Sequence, residues 1–198
     1  MAAKYVLQLR VALVGILPPI WRRIQVPWTA TFWDLHVAIQ DSMGWLGGHL
    51  HEFQVSDHRL GRLVRIGIPD DESPTGKQTL RGWEVGIADY LQGASPAAVY
   101  LYDFGDSWAH VVQYEGDVPA RRGVKCPTCV GGERKCPPED CGGIPGYVSF
   151  LEALADPGHP EHDSLRDWVG GPFDPEEFDP AAVEFGDPKA RLRLELEE

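Results

Sequence analysis

Apolar and polar residues alternate from the start of the chain. Tyr5, Leu7, Leu9, Val11 and Leu13 are separated mostly by polar neighbours, the period of a strand with one buried face. Pro18-Pro19 interrupts the run, and residues 21–26 (Trp-Arg-Arg-Ile-Gln-Val) read as a second strand paired with the first as a hairpin. The period then changes from two to 3.6. Thr31 can cap a helix on which Phe32, Leu35, Ile39 and Met43 share a face to about Trp45, and Gly47-Gly48 ends it. Residues 49–55 return to period two, 62–68 form another short strand, and 69–79 form a polar loop. A short helix is expected around 85–91. The strongest hairpin signal is the pair 98–103 and 108–115, flanking Phe104-Gly105-Asp106.

Past Pro119 the character changes. Residues 119–143 are rich in Pro, Gly and Cys, and no regular structure is expected there. Helices follow at 146–155, with Tyr147, Phe150, Leu151 and Leu154 on one face, and near 162–169. An acidic start after Asp174 predicts one more over 175–185. Strands first and helices later define an α+β fold, mainly antiparallel, with one early helix, a Cys-rich zinc loop and a helical C-terminal part. One domain is expected over 1–198, with a metal-loop and helical subregion at 119–185, and with no internal repeat.

Composition narrows the function. The 198 residues carry 18 Lys+Arg against 30 Asp+Glu, a net charge of −12. So acidic a chain is a poor non-specific binder of nucleic acid, which needs a basic surface to displace counterions. A local basic strip of Arg121, Arg122, Lys125, Arg134 and Lys135 can still touch a phosphate backbone. The N-terminus has no apolar core of a signal peptide, and no apolar run reaches the length of a membrane span. A cytoplasmic location is expected.

All four cysteines, Cys126, Cys129, Cys136 and Cys141, fall within 126–141. In a reducing compartment such clustering favours metal over disulfides. A closed four-cysteine Zn²⁺ site is the sharper reading, structural and not catalytic, since it leaves no open coordination position. The spacing matches a zinc ribbon only in part, and reduced thiols in a loop are the alternative. His49 and His51, two apart on an expected strand, would place both imidazoles on one face. Asp103, Asp106 and His110 surround the hairpin tip. Together these five residues can form a hydrolytic metal cluster, or serve ordinary turn and core roles. Glu139-Asp140 can serve as a general base or cap the Gly142-Gly143 turn and the helix after it, and the cap is the favoured reading. Asp103-Phe104-Gly105 mimics a kinase motif, but no Gly-rich loop, strand Lys or His-Arg-Asp accompanies it.

Two stretches carry a resemblance: Tyr102-Asp-Phe-Gly-Asp-Ser-Trp-Ala-His110, and Cys136-Pro-Pro-Glu-Asp-Cys-Gly-Gly-Ile-Pro-Gly-Tyr147. With Pro-Pro-Ile-Trp-Arg-Arg23, Leu50-His51-Glu-Phe53 and the segment 168–178, they resemble the plasmid pRiA ORF-three-like family over about residues 4–185. Its members are also described as "resolvase-named" passengers of an insertion sequence. The resemblance implies a single α+β domain of unestablished biochemical function and supplies no catalytic residue. No recombinase nucleophile setting is evident here. Two readings stand at this point. One is an accessory or interaction module of mobile elements, stabilised by structural zinc and contacting a protein partner. The other is a metal-dependent hydrolase or nuclease built on the His/Asp cluster.

Overall fold

The computed structural model describes residues 5–57, 61–69, 78–92 and 97–197. Eight strands form one sheet: β1 (Tyr5–Leu13), β2 (Trp21–Pro27), β3 (His51–Asp57), β4 (Arg62–Gly67), β5 (Thr79–Arg81), β6 (Ala97–Tyr102), β7 (Trp108–Pro119) and β8 (Thr128–Glu133). Their order across the sheet is β5-β4-β3-β6-β7-β1-β2-β8, antiparallel throughout except for the parallel pair β4/β5. The helices are α1 (Phe32–Met43), α2 (Gly143–Ala155), α3 (His162–Trp168) and α4 (Pro188–Glu195). The α+β class and the mainly antiparallel sheet are therefore as the pattern predicts. No helix among the described residues is long and apolar enough to cross a membrane.

The alternation in β1 buries Leu7, Leu9, Val11 and Leu13 on one face. Register carries that face across the sheet. Ile66, Phe53, Tyr100, His110 and Leu13 make one cross-strand row, and His51, Tyr102 and Trp108 make the next. Helix α1 lies against this face, held at its start by a capping box between Thr31 and Asp34 and stopped by Gly44 at φ +88°. Only a residue free of Cβ strain takes that left-handed cap cheaply. Ten of the twelve α1 residues are buried, so its polar members His36 and Gln40 lie inside the core.

Arg22, 1% exposed, shares the buried face. It donates to the carbonyls of Ser42 (2.7 Å), Trp21 (2.9 Å) and Glu133 (3.0 Å), and its guanidinium stacks 3.6 Å from the Phe178 ring centre. A buried cation is tolerated when its donors are satisfied and an aromatic face covers it. Arg22 thus ties the end of α1 to the sheet's β8 edge.

Four expectations change. Residues 119–143 are not all irregular: β7 runs to Pro119, and Thr128–Glu133 pairs with β2. Ladder hydrogen bonds need only backbone, so the Cys-Val-Gly-Gly composition hid a strand. The helix expected over 175–185 is a single 3₁₀ turn at Pro180–Ala182, where Pro180 follows the cap residue Asp179. The short helix near 85–91 is likewise one 3₁₀ turn at Ile87–Asp89, which buries Ile87. Helix α4 was not expected, although Asp187-Pro188 is a proper helix start. Of the polar loop at 69–79, residues 70–77 lie outside the described residues.

Candidate metal centre

The strand expected to begin at His49 begins at His51. Residues two apart share a face only within a strand, so the two imidazoles part company. His49 stays in the α1–β3 loop, about one-third exposed, whereas His51 is buried.

His49 instead meets two carboxylates. Its Nε2 lies 3.1 Å from Asp140 Oδ1 and 3.8 Å from Asp103 Oδ2. Among the described residues, this is the group of three metal-type donors whose ligand atoms lie within 4.8 Å of one another. The donors come from three segments distant in sequence. Asp103 follows β6 at φ +53°, and its Oδ1 accepts from Gly105 N (2.9 Å) and Asp106 N (3.3 Å). One oxygen shapes the turn and the other faces His49. The turn role and the ligand role, weighed against each other in the sequence, coexist in one side chain.

Asp140 is the residue that sequence reasoning assigned elsewhere. It sits in the left-handed region at φ +58° within a segment clasped from four sides. Trp45 Nε1 donates to Pro137 O (2.9 Å), Leu46 N to Glu139 Oε2 (3.0 Å), the Tyr102 hydroxyl to Glu139 Oε1, and Gly142 N to Asp106 Oδ2 (3.1 Å). Glu139 is therefore a clasp and not a helix cap. Asp106 acts the same way and leaves the donor set. The following glycine is obligatory: at Gly143, φ +67°, a Cβ would lie 2.7 Å from Asp106 O. Pro-Pro-Glu-Asp-Cys-Gly-Gly is thus a shape that presents Asp140 to His49 and Asp103.

His51 and His110 are corrected out of the cluster. His51 stacks on His36, with ring centres 3.6 Å apart and planes 7° apart. His110 is fully buried between Trp45 and Tyr100. Neither nitrogen of either ring has a hydrogen-bond partner. Burial pushes the His51 pKa down to about 3 and that of His110 down to about 4. Both are neutral rings that fill the core. They share a sheet face, as period two requires, but Tyr100 and Tyr102 fill the rows between them.

The four cysteines are not drawn into a metal-ready set. All four are described and free, and no three of their sulfurs fall within the 4.8 Å that the His/Asp group satisfies. Cys126 donates toward Gln25 O (3.4 Å) and Cys129 toward Gly131 O (3.5 Å), while Cys136 is buried in the core. Burial raises the pKa of all four, that of Cys141 to about 12. The basic strip is also broken. Arg134 pairs with Glu176 (2.8 Å) and Lys135 with Glu177 (3.2 Å).

Fold and centre together define an α+β protein with an imidazole–dicarboxylate cluster that runs from the buried Asp103 to the exposed Asp140. The chain belongs to the plasmid pRiA4b ORF-3-like protein family, whose model matches residues 5–182. It is similar to the uncharacterized protein y4hQ of Sinorhizobium fredii, with 38% identity over 181 residues, 91% of this chain and 87% of that protein. It is also similar to the crystal structure of a protein of unknown function, MM3350, from Methanosarcina mazei Go1. The TM-score there is 0.85 at 42% identity, covering 92% of this chain and 98% of the other. The family match stops before α4.

Proposed function

We propose that this chain is a divalent-metal-binding protein whose ion sits at His49, Asp103 and Asp140 and supports hydrolytic chemistry. The observation that carries the reading is the convergence of three donor side chains from three separate segments, two of them the stretches that mark the family. Three protein ligands leave positions open for water and a ligand oxygen, the arrangement of catalytic rather than structural sites. One imidazole with two carboxylates suits Zn²⁺ or Mn²⁺, and such an ion lowers the pKa of bound water to supply a nucleophile. Zinc is thus assigned to the His/Asp centre and not to the cysteines.

The test is metal content and affinity of the purified full chain. One equivalent of Zn²⁺ or Mn²⁺ is expected, lost in His49→Ala and Asp103→Asn and kept in His51→Gln. Stoichiometry unchanged in the first two variants overturns the reading.

A second reading has one observation in its favour, the net charge of −12. It makes the chain an accessory module that contacts a basic protein partner through its acidic surface. Association that weakens with salt and persists in His49→Ala would separate it from the first.

A further inference from the structure

The loop that joins β7 to β8 carries cations without partners. Within the basic strip, Arg134 and Lys135 are paired with Glu176 and Glu177. Arg121, Arg122 and Lys125 are exposed and form no ion pair among the described residues. The two arginines open a tight turn. Val124 N donates to Arg121 O (3.2 Å), and Gly123, third in the turn, takes φ +81°, a conformation that glycine adopts without strain.

The turn borders a cavity of about 340 Å³, lined by Val6, Pro27, Arg121, Arg122, Val124 and Cys126 among others. In a chain of net charge −12, no acidic residue among those described lines it. Pro27 and Cys126 also line a second cavity, of about 490 Å³, whose apolar wall is Val26, Val37, Ala38 and Phe185. The acids on that second wall are turned to the protein itself. Asp34 accepts from Thr31 N (2.8 Å), Asp187 from Lys189 N (2.9 Å), and Asp41 from Gly186 N (2.9 Å) and Arg191. Lys125 stands on the same wall with no ion pair.

We infer that the two cavities form one site for an amphiphilic oxyanion, a carboxylate or phosphate head on an apolar body. Arg121 and Arg122 take the head, since guanidiniums match the oxygens of either group and these two are both accessible and unpaired. The body rests on Val6, Pro27 and Val124 and runs past Cys126 along the second cavity. Both volumes fall in the range of small-molecule sites, which pair apolar walls with a few polar groups. An inorganic anion would leave the apolar wall unused, and a neutral hydrocarbon would leave the arginines unused. The site shares no residue with the proposed metal centre and does not depend on it.

Decanoate and decyl phosphate, each below its micelle concentration and titrated calorimetrically into the full chain, test this. Saturable one-to-one binding of at least one is expected, weakened about tenfold or more when Arg121→Gln and Arg122→Gln are combined. Both side chains are exposed, so the double variant should keep the fold, which thermal unfolding checks. Lys135→Gln removes an exposed cation that is already paired and should bind as wild type. The tighter of the two probes identifies the head group. In the complex, alkylation of Cys126 by iodoacetamide should slow while that of Cys141 keeps its rate, read by peptide mass spectrometry. No saturable heat with either probe overturns the inference, as does wild-type affinity in the double variant. Acetate or inorganic phosphate binding as tightly as the matching long-chain probe overturns the apolar half of the site. Binding that leaves Cys126 unprotected overturns its placement.

Discussion

His110→Leu isolates what one buried imidazole contributes as pH changes. The ring is fully buried, has neither nitrogen hydrogen-bonded, and titrates at about 4. In the unfolded chain a histidine titrates near 6.5. The folded pKa is depressed, so the unfolded state binds more protons between these two values. Stability from this site is therefore complete above about pH 6.5 and is lost as pH falls toward about 4. Between about pH 7 and about pH 5 the linkage amounts to about 2 kcal/mol for His110 alone. Leucine has nearly the same volume and does not titrate, so the substitution should cost less than about 1.5 kcal/mol at neutral pH. His36 and His51, depressed in the same direction, remain in both proteins, and their contribution cancels in the difference. Urea unfolding followed by tryptophan fluorescence at about pH 7 and about pH 5 measures both curves. The variant should gain about 2 kcal/mol on wild type at the lower pH. A gap that stays within about 0.5 kcal/mol of its neutral value would refute the account of His110 as a neutral core ring.

Two further outcomes are expected. Gly143→Ala forces a Cβ against Asp106 O from a backbone at φ +67° and should destabilise the fold by about 1–3 kcal/mol. It should also weaken metal binding through displacement of Asp140, readable by urea unfolding and by Mn²⁺ titration of the same sample. Cys129→Ser should leave zinc content and protease resistance unchanged, since its sulfur hydrogen-bonds Gly131 O and lies outside the His/Asp group. Loss of an equivalent of zinc in that variant would restore the four-cysteine site.

The period-two and period-3.6 patterns carried β1, β2, α1, β6 and β7, because the apolar residues facing the core recur at a spacing visible along the chain. Strand β8 was invisible for a physical reason: backbone pairing holds it, with glycines where apolar side chains would have announced it. The centre was half legible. His49 and Asp103 stood out by residue type and by proximity to the hairpin, but Asp140 is brought in by clasping bonds from Trp45, Leu46, Tyr102 and Asp106, which no local pattern encodes. His51 and His110 misled because a buried neutral imidazole and a ligand imidazole are the same letter. Their surroundings, Trp45, Tyr100 and His36, separate the two roles. The spacing of the cysteines pointed to a single ion, yet β8 fixes Cys129 in a ladder while Cys136 is buried in the core.

The clasp over residues 137–142 also ties occupancy to motion. For an ion bound as proposed, opening of this segment would withdraw Asp140 from His49 and release the ion in one event. Ligand at about a hundred times its dissociation constant would raise the free energy of that opening by about 2.7 kcal/mol. Amide hydrogens of this stretch would then exchange about a hundredfold more slowly, while those in the middle of β1 would keep their rate. On the proposed site the segment would be a latch whose protection reads out the ion.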